Sequence, residues 1–273
     1  MSTEAAASVR SSSLAVLAWV DESGSPQASG VLALTRGPVP VVALTFARSN
    51  LARMVTGTCS DRQAGPVALA LVESRGTSPD FRPVVLAGEP RLVVDTTGDL
   101  YAAELLVEEL RRYPPARLLA DSPLLCRENW WYLPRLVVEL PRPVATDLGA
   151  TGDERRLLVT ADGTTPRVTR VSTTDPNPAS GRLDLDVVAG PDPVPGPALL
   201  FDQDASFPDL ERWVEWSWRG TVVGSGAHVA LEIDVMPERV GLPPTTPLLE
   251  RWRRHRRLER ACRQGIARWE AGH

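Results

Sequence analysis

The chain contains no lysine; every one of its 30 Lys-or-Arg positions is arginine. Schiff-base chemistry and a P-loop phosphate lysine are therefore excluded. The one-sided usage reads as the codon bias of a GC-rich bacterial genome. Cysteine is scarce as well. Cys59, Cys126 and Cys262 lie far apart with no C-x-x-C spacing. An odd, sparse set argues against a disulfide framework or a structural zinc site and for a reducing compartment. His228, His255 and His273 are scattered and form no H-E-x-x-H, so no metal centre is expected from them. Met1 to Ser13 lacks a charged-then-apolar signal pattern, and no apolar run reaches membrane-span length. The chain reads as cytoplasmic, with no membrane partner. A net charge of −4 gives no global drive toward nucleic acid.

What is present is a β pattern used twice. With 273 residues and 43% hydrophobic content, one or two domains with proper cores are expected. Leu14 to Leu34 reads strand, turn, strand, with Gly24 and Pro26 supplying turn chemistry. Leu157 to Val171 echoes it, Pro166 standing for Pro26 and Val171 for Val31. Three further echoes follow in order. Ala198–Phe201 answers Val67–Leu71; Trp213 to Val223 answers Val84 to Val94, with Gly220 opposite Gly88; His228–Asp234 answers Leu136–Leu140, with Glu232 opposite Glu139. The first copy alone carries a helical insertion from Asp99, stopped by Pro114-Pro115.

The expected architecture is mainly β with helical additions. A flexible leader spans 1–12, a first split-barrel domain 13–147, a second, eroded one 154–240, and an Arg-rich helix 246–270. A short helix over Ala47–Thr56 should close at Gly57 and bury Leu51, Met54 and Val55. Thr246 can cap the last helix, whose apolar stripe favours docking on the chain's own acidic body over binding nucleic acid.

Three clusters are candidates for chemistry. Arg48, Ser49, Asn50 and Arg53 sit at a helix N-terminus, where backbone N–H groups and the dipole favour an anion; an ordinary cap with solvated arginines is the plainer reading. Trp216 and Trp218 share one strand face and could stack on a planar ligand, although such residues are more often core. Of Trp130 and Trp131, only one can point inward along a strand. His228 could ligate haem iron or donate a proton, against the plainer role of a partly buried polar residue.

The strand order, with Pro26-x-x-Ser-Gly-Val-Leu-Ala-Leu34, Leu44-Thr-Phe-Ala-Arg-Ser-Asn-Leu-Ala-Arg-Met54 and Arg82-Pro-Val-Val-Leu-Ala-Gly88, resembles the pyridoxamine 5′-phosphate oxidase-like, FMN-binding split-barrel family. In that family two barrels pair and the flavin lies across their interface. The resemblance implies an internal pseudo-dimer, with Thr45, Arg48, Ser49, Asn50, Arg53 and Arg82 as the residues toward an FMN phosphate. It departs from the family where Ser29 replaces an arginine, Arg48-Ser49-Asn50 replaces Ser-Arg-Lys, and Pro83 replaces a glutamine. The function implied is an FMN- or deazaflavin-dependent oxidoreductase acting on a small-molecule substrate. The alternative is a degenerate split barrel that binds a ligand or haem without flavin turnover. No catalytic acid or base is identifiable, and whether the pseudo-dimer forms a further homodimer is left open.

Overall fold

A computed structural model describes residues 3–12, 14–57, 65–75, 77, 81–175, 181–244 and 247–272. Cys59, Gly76, Pro79, Thr246 and His273 lie outside the described residues. The chain begins with α1 (Thr3–Ser11), then β1 (Ala15–Val20), β2 (Pro26–Val31), β3 (Ala33–Arg36) and β4 (Val39–Thr45). A 3₁₀ turn (Phe46–Arg48) leads into α2 (Ser49–Thr56), followed by β5 (Val67–Leu71), β6 (Val84–Gly88) and β7 (Arg91–Asp95). The insertion holds a π-helical turn (Tyr101–Leu105), α3 (Leu106–Arg112), α4 (Arg117–Ala120) and α5 (Pro123–Glu128). After β8 (Arg135–Glu139) and β9 (Val144–Asp147) come β10 (Leu157–Asp162), β11 (Thr165–Ser172) and β12 (Arg182–Ala189). The chain ends with β13 (Gly196–Ala205), β14 (Trp213–Val223), β15 (His228–Val235) and α6 (Leu248–Glu270).

The fold is mainly β and fully antiparallel. Strands β2-β1-β5-β6-β9 and β3-β4-β8-β7 form two sheets around one core that includes Leu17, Leu69, Leu86, Leu44 and Val138. Strands β10-β11-β12-β15-β14-β13 close into a barrel around Leu158, Leu200, Trp218 and Leu231. Alternation decides which side chains do what. On β5, Val67, Leu69 and Leu71 enter the first core, while Ala68 and Ala70 face the second unit. On β10 and β13, Leu158 and Leu200 fill the barrel, while Leu157, Val159, Leu199 and Phe201 face the first unit.

The duplication is visible in the register. Val16 pairs with Gly30 and Ala70; Leu157 pairs with Arg170 and Phe201. Val67 pairs with Gly88, and Ala198 with Gly220. These equivalences agree across three strand pairs in each copy, so Ser29 corresponds to Thr169, Gly30 to Arg170, Glu73 to Asp204 and Pro83 to Glu215. The two units meet through equivalent faces. Val16, Ala18, Ala68 and Ala70 of the first pack on Leu157, Val159, Leu199 and Phe201 of the second. Small residues on one side receive large ones from the other, the complementarity that close packing of two sheets requires.

Several details differ from the sequence reading. The leader is helical over Thr3–Ser11, and Val9 is fully buried, because an apolar residue in this turn covers the edge of the first core. In α2, Leu51 and Val55 are buried with Ala52, but Met54 points outward and is 52% exposed. Gly57 does end that helix, in the left-handed conformation at φ 66°. The Glu139 and Glu232 echo has two environments: Glu139 is buried, Glu232 exposed. The second barrel closes; the connections around it are what shortened.

Candidate functional site: the groove between the units

The groove wall of the first unit is β2, and the loop bearing Arg48 stands beside it. The Arg48 guanidinium donates to the Gly30 carbonyl at 2.9 Å and to Ser29 Oγ at 2.5 Å. Ser29 Oγ in turn donates to Glu215 of β14, at 3.0 Å to Oε1 and 3.1 Å to Oε2. The Gly30 N–H donates to Glu215 Oε2 at 2.5 Å. Burial opposes the Arg48 charge and lowers its pKa, while the Glu215 carboxylate works in the other direction. A side chain at position 30 would crowd this wall: its Cβ would come within 2.6 Å of Gln203 Oε1 and 2.7 Å of Trp213, so those side chains would have to shift. Gln203 is the cross-strand partner of Glu215, and its Oε1 accepts from Trp213 Nε1 at 3.1 Å. The buried Gln203 Nε2 has no partner among the described residues.

The six residues expected to hold a phosphate do not converge. Arg48 bonds β2, at the Gly30 carbonyl and Ser29 Oγ. Arg53 lies over the Trp269 ring of α6 at 4.8 Å. Thr45 and the Ala47 backbone hydrogen-bond the thiol of Cys262 in α6, and burial pushes that thiol's pKa up against them. Ser49 is half-buried and Asn50 exposed at the start of α2. Arg82 is exposed just before β6, three strands from β2 in the same sheet, roughly 14 Å away at about 4.8 Å per strand. The tail helix is the reason for part of this. It packs on the 3₁₀ turn so closely that a Cβ on Gly265 would come 2.2 Å from the Phe46 carbonyl oxygen. Phe46 and Trp269 meet edge to face at 6.0 Å. Self-docking of α6 is thus seen, and it roofs the very loop proposed for the anion.

The aromatic candidates are mostly structural. Trp218 is fully buried inside the barrel with Trp216 packed against the same core. Trp131 is buried against Tyr132 and His255, whereas Trp130 is 48% exposed under Arg263. His228 is exposed and hydrogen-bonded to Asp186 at 2.6 Å. Strands β12 and β15, which carry that pair, are on the barrel side remote from β10, β11 and β13 at the interface. A haem ligand at the interface is therefore not what His228 offers.

A second feature holds the groove. Glu73 and its counterpart Asp204 are bridged by Arg75, at 2.9 Å to each, and by Arg155, at 3.0 and 3.8 Å. Burial alone would raise the Glu73 pKa, but hydrogen bonds from Arg75 and the charges of Arg155 and Arg75 outweigh it and hold it low. Nearby, Arg219 donates to Gln27 Oε1 at 2.6 Å. Sequence reading missed Glu215 and Gln203. The equivalence of Gly220 with Gly88 aligns β14 with β6 but carries no signal for its contact with the first hairpin.

These features define an internally duplicated antiparallel β-barrel protein with a closed groove between its halves. The sequence matches no protein-family model and no curated protein. Among solved structures, it is similar to a haem-binding protein from Mycobacterium smegmatis, at 15% identity and TM-score 0.31 over 97% of this chain and 99% of that one. It is also similar to a pyridoxamine 5′-phosphate oxidase-related, FMN-binding protein from Nostoc punctiforme, at 13% identity and TM-score 0.30 over 75% and 85%. A third, of unknown function from Agrobacterium tumefaciens, aligns at 19% identity and TM-score 0.34 over 52% of this chain. The chain spans about half of that protein's length, 53%. Scores this low decide neither fold nor ligand, and the class rests on the strand pairing above. No helix among the described residues is long and apolar enough to cross a membrane.

Proposed function

We propose that the chain is a split-barrel ligand-binding protein that does not turn over flavin. One observation carries this reading: Arg48, one of the arginines expected to hold the phosphate, already bonds Ser29 and Gly30 and stands behind the Glu215 carboxylate. A phosphate dianion needs several charge-assisted donors and would meet a carboxylate here instead. The residues present therefore do not fit an FMN phosphate, and no redox step is assigned to them. Among the described residues, open hydrogen-bonding capacity in this wall of the groove includes the buried Gln203 amide beside Trp213, suited to a small ligand with an acceptor atom.

The test is an absorbance spectrum of the purified protein together with fluorescence titrations of FMN and of a deazaflavin. Colourless protein and no stoichiometric quenching are expected. Protein that is yellow as isolated, or that quenches FMN at one equivalent per chain, would overturn the reading.

A further inference from the structure

We infer that Glu215 is a ligand built into the chain: its carboxylate occupies the anion cradle of Ser29, Gly30 and Arg48 and holds it shut against external phosphate. The inference rests on the reading above and deepens it. Three observations carry it. First, the donors converge on one carboxylate, with the Gly30 N–H and the Ser29 hydroxyl in direct contact and Arg48 behind Ser29. A site built of backbone N–H, hydroxyl and guanidinium is what an oxyanion takes. Second, Gln203, whose Oε1 stands against Gly30 in this wall of the groove, leaves a buried Nε2 donor without a partner among the described residues.

Third, the pseudo-symmetric groove is also filled by the chain, but by different groups. Arg170 stands where Gly30 stands in the first copy. Its Nη1 donates to the carbonyls of Leu148 at 2.9 Å and Ala150 at 2.6 Å, both in the segment joining the units. The Leu148 N–H donates to the carbonyl of Pro83, the counterpart of Glu215. Thr169, counterpart of Ser29, donates to the Pro191 carbonyl at 2.6 Å. Thus one groove is closed by a side chain and the other by main chain. Glu215 is itself exposed to solvent, so its carboxylate can be removed without hollowing a core.

The experiment measures binding of inorganic phosphate by calorimetry, and the rise of Tm with phosphate at constant ionic strength, in wild type, Glu215→Ala, Glu215→Gln and the double variant Glu215→Ala/Arg48→Ala. Wild type is expected to show no saturable phosphate binding. Glu215→Ala should bind one equivalent at least tenfold more tightly, and the double variant should return to the wild-type level. Glu215→Gln, which keeps the shape and loses the charge, should fall between and serves where the alanine variant does not fold. A folded Glu215→Ala or Glu215→Gln variant with phosphate affinity within twofold of wild type would overturn the inference. So would an undiminished gain in the double variant, which marks an adventitious ion only. Flavin binding by wild type, with the tenfold phosphate gain intact in Glu215→Ala, would overturn the functional reading alone.

Discussion

The two halves of the chain share a pairing order and a register, and they differ in what hangs from it. The first half connects β7 to β8 through the helical insertion and β4 to β5 through α2; the second joins β14 to β15 by the short turn at 224–227. Where the first breaks one strand into β6 and β7 at Glu89-Pro90, the second runs β14 unbroken, with a register shift at Arg219/Gly220. Pairing is fixed by alternating core residues, so a slipped strand would turn its whole apolar set outward. Loops carry no such penalty. They can be shortened or rebuilt freely, and sites that lived on them go with them.

The two halves differ most at their two matched glycines. A Cβ on Gly220 would stand 1.8 Å from the Glu232 carbonyl oxygen and 2.8 Å from its carbon, both backbone. At Gly88 the nearest atoms are Arg142 O at 3.3 Å and Pro143 Cα at 3.4 Å. Gly220→Ala is expected to cost about 3 kcal/mol or more, or to prevent folding, because a paired strand must move. Gly88→Ala should cost under about 1 kcal/mol. Urea unfolding of both variants is the measurement. Equal losses would show that the continuous β14 is no tighter than the split pair it answers.

The clasp between the halves comes next. Glu73 is buried between Arg75 and Arg155, and both arginines are partly exposed. Glu73→Ala is therefore expected to cost about 2 kcal/mol, less than for a fully buried pair, since the arginines can turn to water. Its folded pKa lies below the ordinary glutamate value of 4.5. The stabilisation is thus present above pH 4.5 and is lost as pH falls through the depressed value. Wild type should lose stability below that pH, and Glu73→Gln should flatten part of the loss. A profile for the variant that is parallel to wild type would remove Glu73 from the clasp.

Much of this fold could be read from residues, and the reason is local. Strand positions followed from runs such as Val67–Leu71 and turns from Gly24, Gly57 and Gly163, each in the left-handed region. The repeat was legible because Gly220 and Gly88 occupy matching registers. The candidate site was legible only in part. Arg48 does reach the groove, but the Ser29 it bonds is held in turn by Glu215, 186 residues further along the chain, and no spacing rule reports that. Arg53 and Thr45 were claimed by α6, whose face is apolar enough to signal docking without saying where. Met54 failed because a three-residue step on a short helix misses a buried stripe centred on Leu51 and Val55.

The smallest expected effect tests the echo of Glu139 and Glu232. Glu139 accepts from Arg36 Nη1 at 2.8 Å and from Arg91 Nε at 2.8 Å, with 2% of its side chain exposed. Neither arginine is deeply buried, so much of each charge is screened by solvent. Glu139→Gln should cost about 1 to 1.5 kcal/mol, the loss of charge-assisted bonds to a buried acceptor. Glu232 is exposed on β15 opposite Arg182, and Arg182 forms its ion pair with Asp184. Glu232→Gln should change stability by under about 0.5 kcal/mol, as for an ordinary surface position. Thermal unfolding of the two variants, run side by side, reads the difference. A larger loss at Glu232 would mean that the second copy still buries this carboxylate in solution. It would also mean that the closed barrel is only one of the states the second half adopts.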